Sequence, residues 1–229
     1  MILVGAIANS VAVLFGGLIG FFFKKGIPDR FGNLIMNGLG LFTIALGISF
    51  FLKSQNMIIV VLSIVMGSIL GEWLDIDKRL EVFGDNLQKR SRQTNADGFS
   101  KGFVTASLMF CVGSMAIMGS LQSGLLSNHE ILYTKSIIDG ISALILSSAF
   151  GIGVVFSAIP LFIYQGSIVL LASFISPYIN NAVVNEMTAV GGILLIGLSF
   201  MILDIKKIKV SNMVPAILVP VVIMLLYKI

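Results

Sequence analysis

Charge is scarce in this sequence. Only 11% of its 229 residues are charged, against 57% apolar, and the mean hydropathy is +1.03. So few charges cannot cover a water-facing surface, which excludes a soluble domain. Cysteine and histidine occur once each. Cys111 lies inside an apolar run, so an intramolecular disulfide is excluded and no metal-ligand spacing surrounds it. His129 stands in the polar stretch Ser127-Asn128-His129-Glu130, an ordinary loop setting. The sequence also lacks a phosphate-binding Gly-Lys-Ser/Thr loop, a His-Glu-x-x-His pair and a nucleophile with an evident histidine partner. An enzyme is therefore not expected, and no cofactor or metal is implied. A net charge of +4 and a pI near 9.3 do not point to nucleic acid, because the basic residues form no dense patch with interleaved aromatics.

What the sequence has instead is long apolar runs, at approximately 2–23, 33–52, 57–71, 102–126, 136–156, 158–176, 187–203 and 212–227. A bilayer core about 30 Å thick needs roughly 20 apolar residues per helix, so these read as about eight spans. The expected fold is all-α, a polytopic transmembrane helical bundle forming a single domain over 1–229. Ile2 to Phe23 has neither the charged start nor the small-residue cleavage site of a secretory signal, so it is expected to be a retained span. The least certain division lies between Ile137 and Ile175, which carries no charge after Asp139. Gly151, Gly153 and Pro160 offer a break there, with a tight hairpin near Ser157 to Pro160. A re-entrant pair is the competing description.

Cytoplasmic loops are enriched in Lys and Arg. Eight spans with both termini outside place Lys24, Lys25, Arg30, Lys78, Arg79, Lys89, Arg90, Arg92, Lys101, Lys206, Lys207 and Lys209 inside. Only Lys53, Lys135 and Lys228 remain outside. A seven-span chain strands Lys206, Lys207 and Lys209 on the outer side, so eight is preferred, in a bacterial cytoplasmic membrane. The segment 72–100 is then a cytoplasmic connector. Leu80, Phe83 and Leu87 recur in it at helical spacing opposite charged residues, the pattern of an interfacial amphipathic helix, and Trp73 sits at anchoring depth.

A single offset aligns Leu46-Gly-Ile-Ser-Phe-Phe51 with Ile196-Gly-Leu-Ser-Phe-Met201 and Gly16 with Gly166, and the helices that follow begin Asn56-Met57 and Asn212-Met213. Spans 1–3 thereby correspond to spans 6–8 in opposite orientation, an inverted repeat of the kind recurrent in secondary transporters. Chance similarity between apolar segments is the alternative.

The polar residues at lipid depth mark where a solute path runs. Span 4 concentrates Gly113, Ser114, Gly119, Ser120, Gln122, Ser123 and Gly124, and such a helix is expected to bend or break. Spans 5 and 6 carry Asp139, Ser157 and Gln165. Asp139 is an intramembrane carboxylate with Lys135 one turn away as its partner. Asn9 and Asn37 are the mid-helix polar residues of the first half. Ordinary close packing and interhelical hydrogen bonding are the plainer reading of the glycines and asparagines, as at Gly16-x-x-x-Gly20 and Gly67-x-x-x-Gly71.

Three stretches carry a family resemblance: Phe103-Val-Thr-Ala-Ser-Leu-Met-Phe-Cys-Val-Gly-Ser-Met-Ala-Ile-Met-Gly-Ser120, Tyr133-Thr-Lys-Ser-Ile-Ile-Asp-Gly140, and Gly151-Ile-Gly-Val-Val-Phe-Ser-Ala-Ile-Pro-Leu-Phe-Ile-Tyr-Gln-Gly166. With the opening Gly5-Ala-Ile-Ala-Asn9, the chain resembles along its length the bacterial membrane proteins of domain-of-unknown-function family 554, the YqgA/YdfK-like proteins. The resemblance implies a membrane or transport protein and no established activity. Ser114 stands where the family leads one to expect proline, which counts against a kink in span 4, although Gly113 and Gly119 permit one. The functional expectation is a gradient-driven transporter of a small solute or ion. The alternatives are a passive channel built from several copies, and a non-transporting membrane scaffold or regulator. The expected partners are the lipid bilayer, a small solute or ion, and further copies of the chain.

Overall fold

The computed structural model describes residues 2–24, 29–79, 82 and 96–227. Helices account for all its regular structure, and no strand occurs among the described residues. In chain order they are α1 (Val4–Lys24), α2 (Asp29–Phe51), α3 (Met57–Leu74), α4 (Ala96–Cys111), α5 (Ser114–Leu126) and α6 (Glu130–Phe150). There follow α7 (Gly153–Phe156), α8 (Ala158–Leu170), α9 (Ala172–Ile175), α10 (Asn181–Ile202), a 3-10 segment (Val210–Ile217) and α11 (Val219–Tyr227). Leu80, Phe83 and Leu87, on which the interfacial helix was expected, lie outside the described residues.

Five helical stretches are long and apolar enough to cross a membrane: Val4–Phe23, Met57–Leu74, Glu130–Phe150, Gly153–Leu170 and Asn181–Ile202. A sixth is the bent pair Phe99–Cys111 and Met115–Leu126, and Met36–Phe51 and Val210–Leu226 are shorter apolar stretches. Large apolar side chains such as Phe22, Leu34, Ile58, Ile69, Phe174 and Leu226 stand two-thirds or more exposed. In water that surface would drive association; in lipid it is the solvated face.

Glycines set how the helices meet. A Cβ added at Gly16 would strike the Gly140 carbonyl oxygen, and one at Gly20 the Leu144 carbonyl oxygen, so α1 and α6 lie backbone to backbone. The order of these contacts makes the two helices parallel. Gly17 against Val155 and Gly166 against Leu3 make α1 antiparallel to α7 and α8. Gly47 and Gly192 each face the other's carbonyl oxygen, and Gly40 meets Leu203, so α2 and α10 are antiparallel. Gly67 and Gly71 press against Ala216 and Asn212, laying α3 along the 3-10 segment. Lipid offers helices no hydrophobic drive to associate, and such close approach supplies the attraction instead.

One expectation is revised and another holds. The hairpin near Ser157 to Pro160 lies instead at Gly151, where φ is +91° and the chain reverses into α7. Pro160 sits in the first turn of α8, where its missing N–H leaves no bond unmade. The stretch Ile137 to Ile175 thus contains the end of one span-length helix and a second apolar stretch, with the boundary several residues earlier than expected. Span 4 does break, at Gly113 with φ +126°, and α5 departs from α4 by 57°. The absence of proline at Ser114 does not prevent the bend, because positive φ at glycine is enough. Gly119 lies within α5 and plays no part in it.

Candidate functional site

Lys135 and Asp139 stand one turn apart on α6 and project to the same side. Lys135 Nζ lies 2.5 Å from Asp139 Oδ2, and the two residues are 6% and 5% exposed. Asp139 is nine residues into α6, about 13 Å along a helix that rises 1.5 Å per residue, and so near the middle of this 21-residue helix. The next residue is Gly140, packed against Ala12 of α1. That bare position brings the α1 backbone beside the carboxylate, and Asn9 Nδ2 donates to Asp139 Oδ2 at 3.0 Å. The same amide nitrogen donates to Gln165 Oε1 of α8 at 3.3 Å. Three helices distant in sequence therefore meet in one buried polar cluster.

The cluster is incompletely satisfied. Asn9 Oδ1 and Gln165 Nε2 have no hydrogen-bond partner, although both residues are fully buried. Both donors to Asp139 converge on Oδ2, and Oδ1 receives none among the described residues. Buried polar atoms are nearly always paired, and an exception calls for an explanation such as strain, a chemical role or a bound water or ion; the hydroxyls of Ser10, Ser63, Thr105 and Ser107 are likewise unpaired.

A cavity of about 220 Å³ opens on the Lys135–Asp139 pair, with Asn9 and Gln165 behind it and outside the lining. Lys135, Ile138, Asp139 and Ser142 of α6 form one wall, Phe42, Leu46 and Phe50 of α2 face them, and the α4–α5 break at Gly113 closes a third side. Lys53 borders it too, its ammonium 5.4 Å from the Phe50 ring centre. Because Gly113 lacks a side chain and takes positive φ, the chain turns here without filling the space. The rim residues Phe42, Met115 and Ile138 are 53%, 38% and 50% exposed.

Of the residues singled out in the sequence, the structure brings Asp139, Asn9 and Gln165 together and sets Gly113 across the cavity. Others lie elsewhere. Asn37 is exposed on α2. Ser157 is buried, but its hydroxyl donates to Val154 O at 2.6 Å within its own turn. Gly119 packs against Ile131 and Leu132, and Gln122 is half-buried near the end of α5, where its backbone oxygen caps the helix. Ser114 opens α5 next to Gly113. Phe42, Phe50 and Ser142 were not anticipated; ordinary residues on an apolar helix give no sign of facing a cavity.

A second buried carboxylate is Glu186 of α10, 1% exposed. It accepts from Ser54 Oγ at 2.7 Å, Gln55 N at 2.7 Å and Asn56 N at 3.0 Å, gathering the turn that starts α3. Near Lys209, Glu72 accepts from Lys209 Nζ at 2.8 Å and Asn212 Nδ2 at 2.6 Å. The His, Cys, Asp and Glu side chains form no group able to hold a metal ion among the described residues.

Comparison with known proteins matches residues 4–225 to the family model described as "Protein of unknown function (DUF554)". The chain is 37% identical over 223 residues to the "Uncharacterized membrane protein YdfK" of Bacillus subtilis (strain 168), covering 96% of this chain and 94% of that protein. It is 31% identical over 219 residues to the "Uncharacterized protein YqgA" of Escherichia coli (strain K12), covering 94% and 93%. No solved structure matches.

Proposed function

We propose that this chain, which belongs to the DUF554 family of membrane proteins, is a gradient-driven transporter of a small solute or ion. The observation that carries the reading is the Lys135–Asp139 pair at mid-helix depth, joined by Asn9, backed by unpartnered polar atoms and open to a cavity. Buried intramembrane charge is costly and is kept where it binds or moves something. The broken α4–α5 pair resembles in kind the discontinuous helices that form midplane sites in secondary transporters.

The reading includes eight passes in a bacterial cytoplasmic membrane with both termini outside. Passes 1 and 5 running parallel, and passes 1 and 6, 2 and 7, and 3 and 8 running antiparallel, agree with that path. The same antiparallel pairs are those an inverted repeat relates. The exposed cavity rim is a place for lipid tails or a second copy to close, and an oligomer belongs to the proposal. No chemical step is assigned to any residue.

The test is solute counterflow in proteoliposomes, for a solute that raises the unfolding temperature of the purified protein. Native protein is expected to exchange it and Asp139→Asn to lose exchange. Unchanged exchange in the variant overturns the role of Asp139. Conductance without counterflow makes the protein a passive channel. Loss of cellular function on replacing 72–100 with a neutral linker, with no flux in native protein, makes it a scaffold.

A further inference from the structure

The wall of the cavity holds two ammoniums, Lys53 and Lys135, and one carboxylate, Asp139, which pairs with Lys135, among aromatic and thioether side chains: Phe42, Phe50, Phe110 and Met109. We infer that it takes a small zwitterion with an apolar body, an α-amino acid of about leucine size, whose carboxylate meets Lys135 and whose ammonium meets Asp139. The inference deepens the transporter reading by naming its solute class.

The charge balance supports this class over the simpler ones. A bare anion that draws Lys135 away leaves Asp139 without its cation, and a bare cation at Asp139 does the same to Lys135. An uncompensated buried charge is strongly unfavourable. A ligand carrying both charges replaces one ion pair with two, and neither protein group is stranded. Asp139 also has a second donor besides Lys135: Asn9 Nδ2 donates to Oδ2 at 3.0 Å, and Oδ1 receives no donor among the described residues. Lys53 also borders the cavity, its ammonium 5.4 Å from the Phe50 ring centre, so a bare anion seated there is the competing ligand, and 4-methylpentanoate binding as tightly as leucine would reveal it. The volume of about 220 Å³ is below the roughly 300–1,000 Å³ of drug-sized pockets. It therefore suits a small metabolite, and the aromatic and thioether lining suits an aliphatic side chain over a charged one.

The experiment compares three probes by calorimetry on native protein in detergent: leucine, 4-methylpentanoate, which lacks the ammonium, and 3-methylbutylamine, which lacks the carboxylate. Leucine is expected to bind. Loss of one charge-assisted contact should weaken each of the other two by about 10- to 150-fold. Asp139→Asn should lower leucine affinity by a similar factor and narrow the gap between leucine and 4-methylpentanoate. Because that variant strands Lys135 and can unfold, Phe42→Trp serves as a second: it narrows the cavity at an exposed rim residue, and affinity should shift from leucine toward alanine. Absence of leucine or alanine binding to folded native protein overturns the inference, as does 4-methylpentanoate binding equal to leucine. Counterflow separates the two proposals. Exchange of some other solute with no amino-acid binding leaves the transporter reading standing without this one, and amino-acid binding without exchange does the reverse.

Discussion

Asp139 and Glu186 are both buried carboxylates on apolar helices, and they are treated in opposite ways. Glu186 is met by three donors from a single turn, two of them backbone N–H groups at the start of α3. Its charge is used up locally, where an anion favours a helix N-terminus. Asp139 is met on one oxygen only, by side chains from two helices, and its neighbours Asn9 and Gln165 keep atoms without partners. A fully satisfied network fixes a fold; a partly satisfied one is a place where something else completes it. Burial alone does not separate the two residues, because both are almost entirely enclosed.

The largest effect is expected at Glu186. Glu186→Ala removes the shared acceptor of three part-buried donors, Ser54 Oγ, Gln55 N and Asn56 N, and should lower the unfolding midpoint more than a replacement of the Lys135–Asp139 pair that leaves no charge behind. An equal or smaller drop than that of Lys135→Met with Asp139→Leu would erase the contrast. Next is Gly16→Val, whose side chain collides with the Gly140 backbone and should cost about 1–3 kcal/mol as overpacking does. By moving α1 it should also displace Asn9, so ligand stabilisation should fall with it, whereas the α3 turn held by Glu186 should keep its amide-exchange protection. Smaller still is Lys135→Met with Asp139→Leu. Replacing a buried ion pair by apolar residues is often neutral or favourable, so stability should fall by no more than about 1 kcal/mol while transport is lost. A large loss of stability would place Asp139 in the same structural class as Glu186.

The smallest effect is at the exposed pair. The hydrogen bond that Lys209 Nζ donates to the Glu72 carboxylate holds the ammonium above the ordinary lysine value of 10.5. A folded-state value raised above the unfolded one stabilises at pH below the unfolded value and loses its contribution as pH climbs through the folded one. Native protein and Lys209→Gln should therefore differ slightly in unfolding temperature at neutral pH and converge well above pH 10.5. A constant difference would show that Lys209 acts through packing.

The membrane class and most spans were legible in hydropathy, because nothing but lipid tolerates so apolar a surface. Asp139 and Lys135 were legible as a pair because one helical turn fixes their relation. That Asn9 and Gln165 converge on them was not, since the approach depends on Gly140 and on helices meeting far apart in sequence. The glycines themselves were ambiguous: Gly113 breaks a helix through its φ, while Gly119 only makes room for Ile131 and Leu132. The misplaced hairpin has a similar origin. Pro160 is the louder signal in sequence, but a proline in the first turn of a helix breaks nothing, and Gly151 makes the reversal.

The glycine contacts also have a mechanical meaning. Backbones locked as tightly as α1 on α6, or α2 on α10, cannot slide without rupturing their own interface. The cavity lies on the seam between these two blocks, with the ion pair on one and Phe42 and Phe50 on the other, and α2 touches α6 only sparingly. The contacts across that seam are therefore the ones a rocking of the α2–α10 block against the α1–α6 block would disturb least.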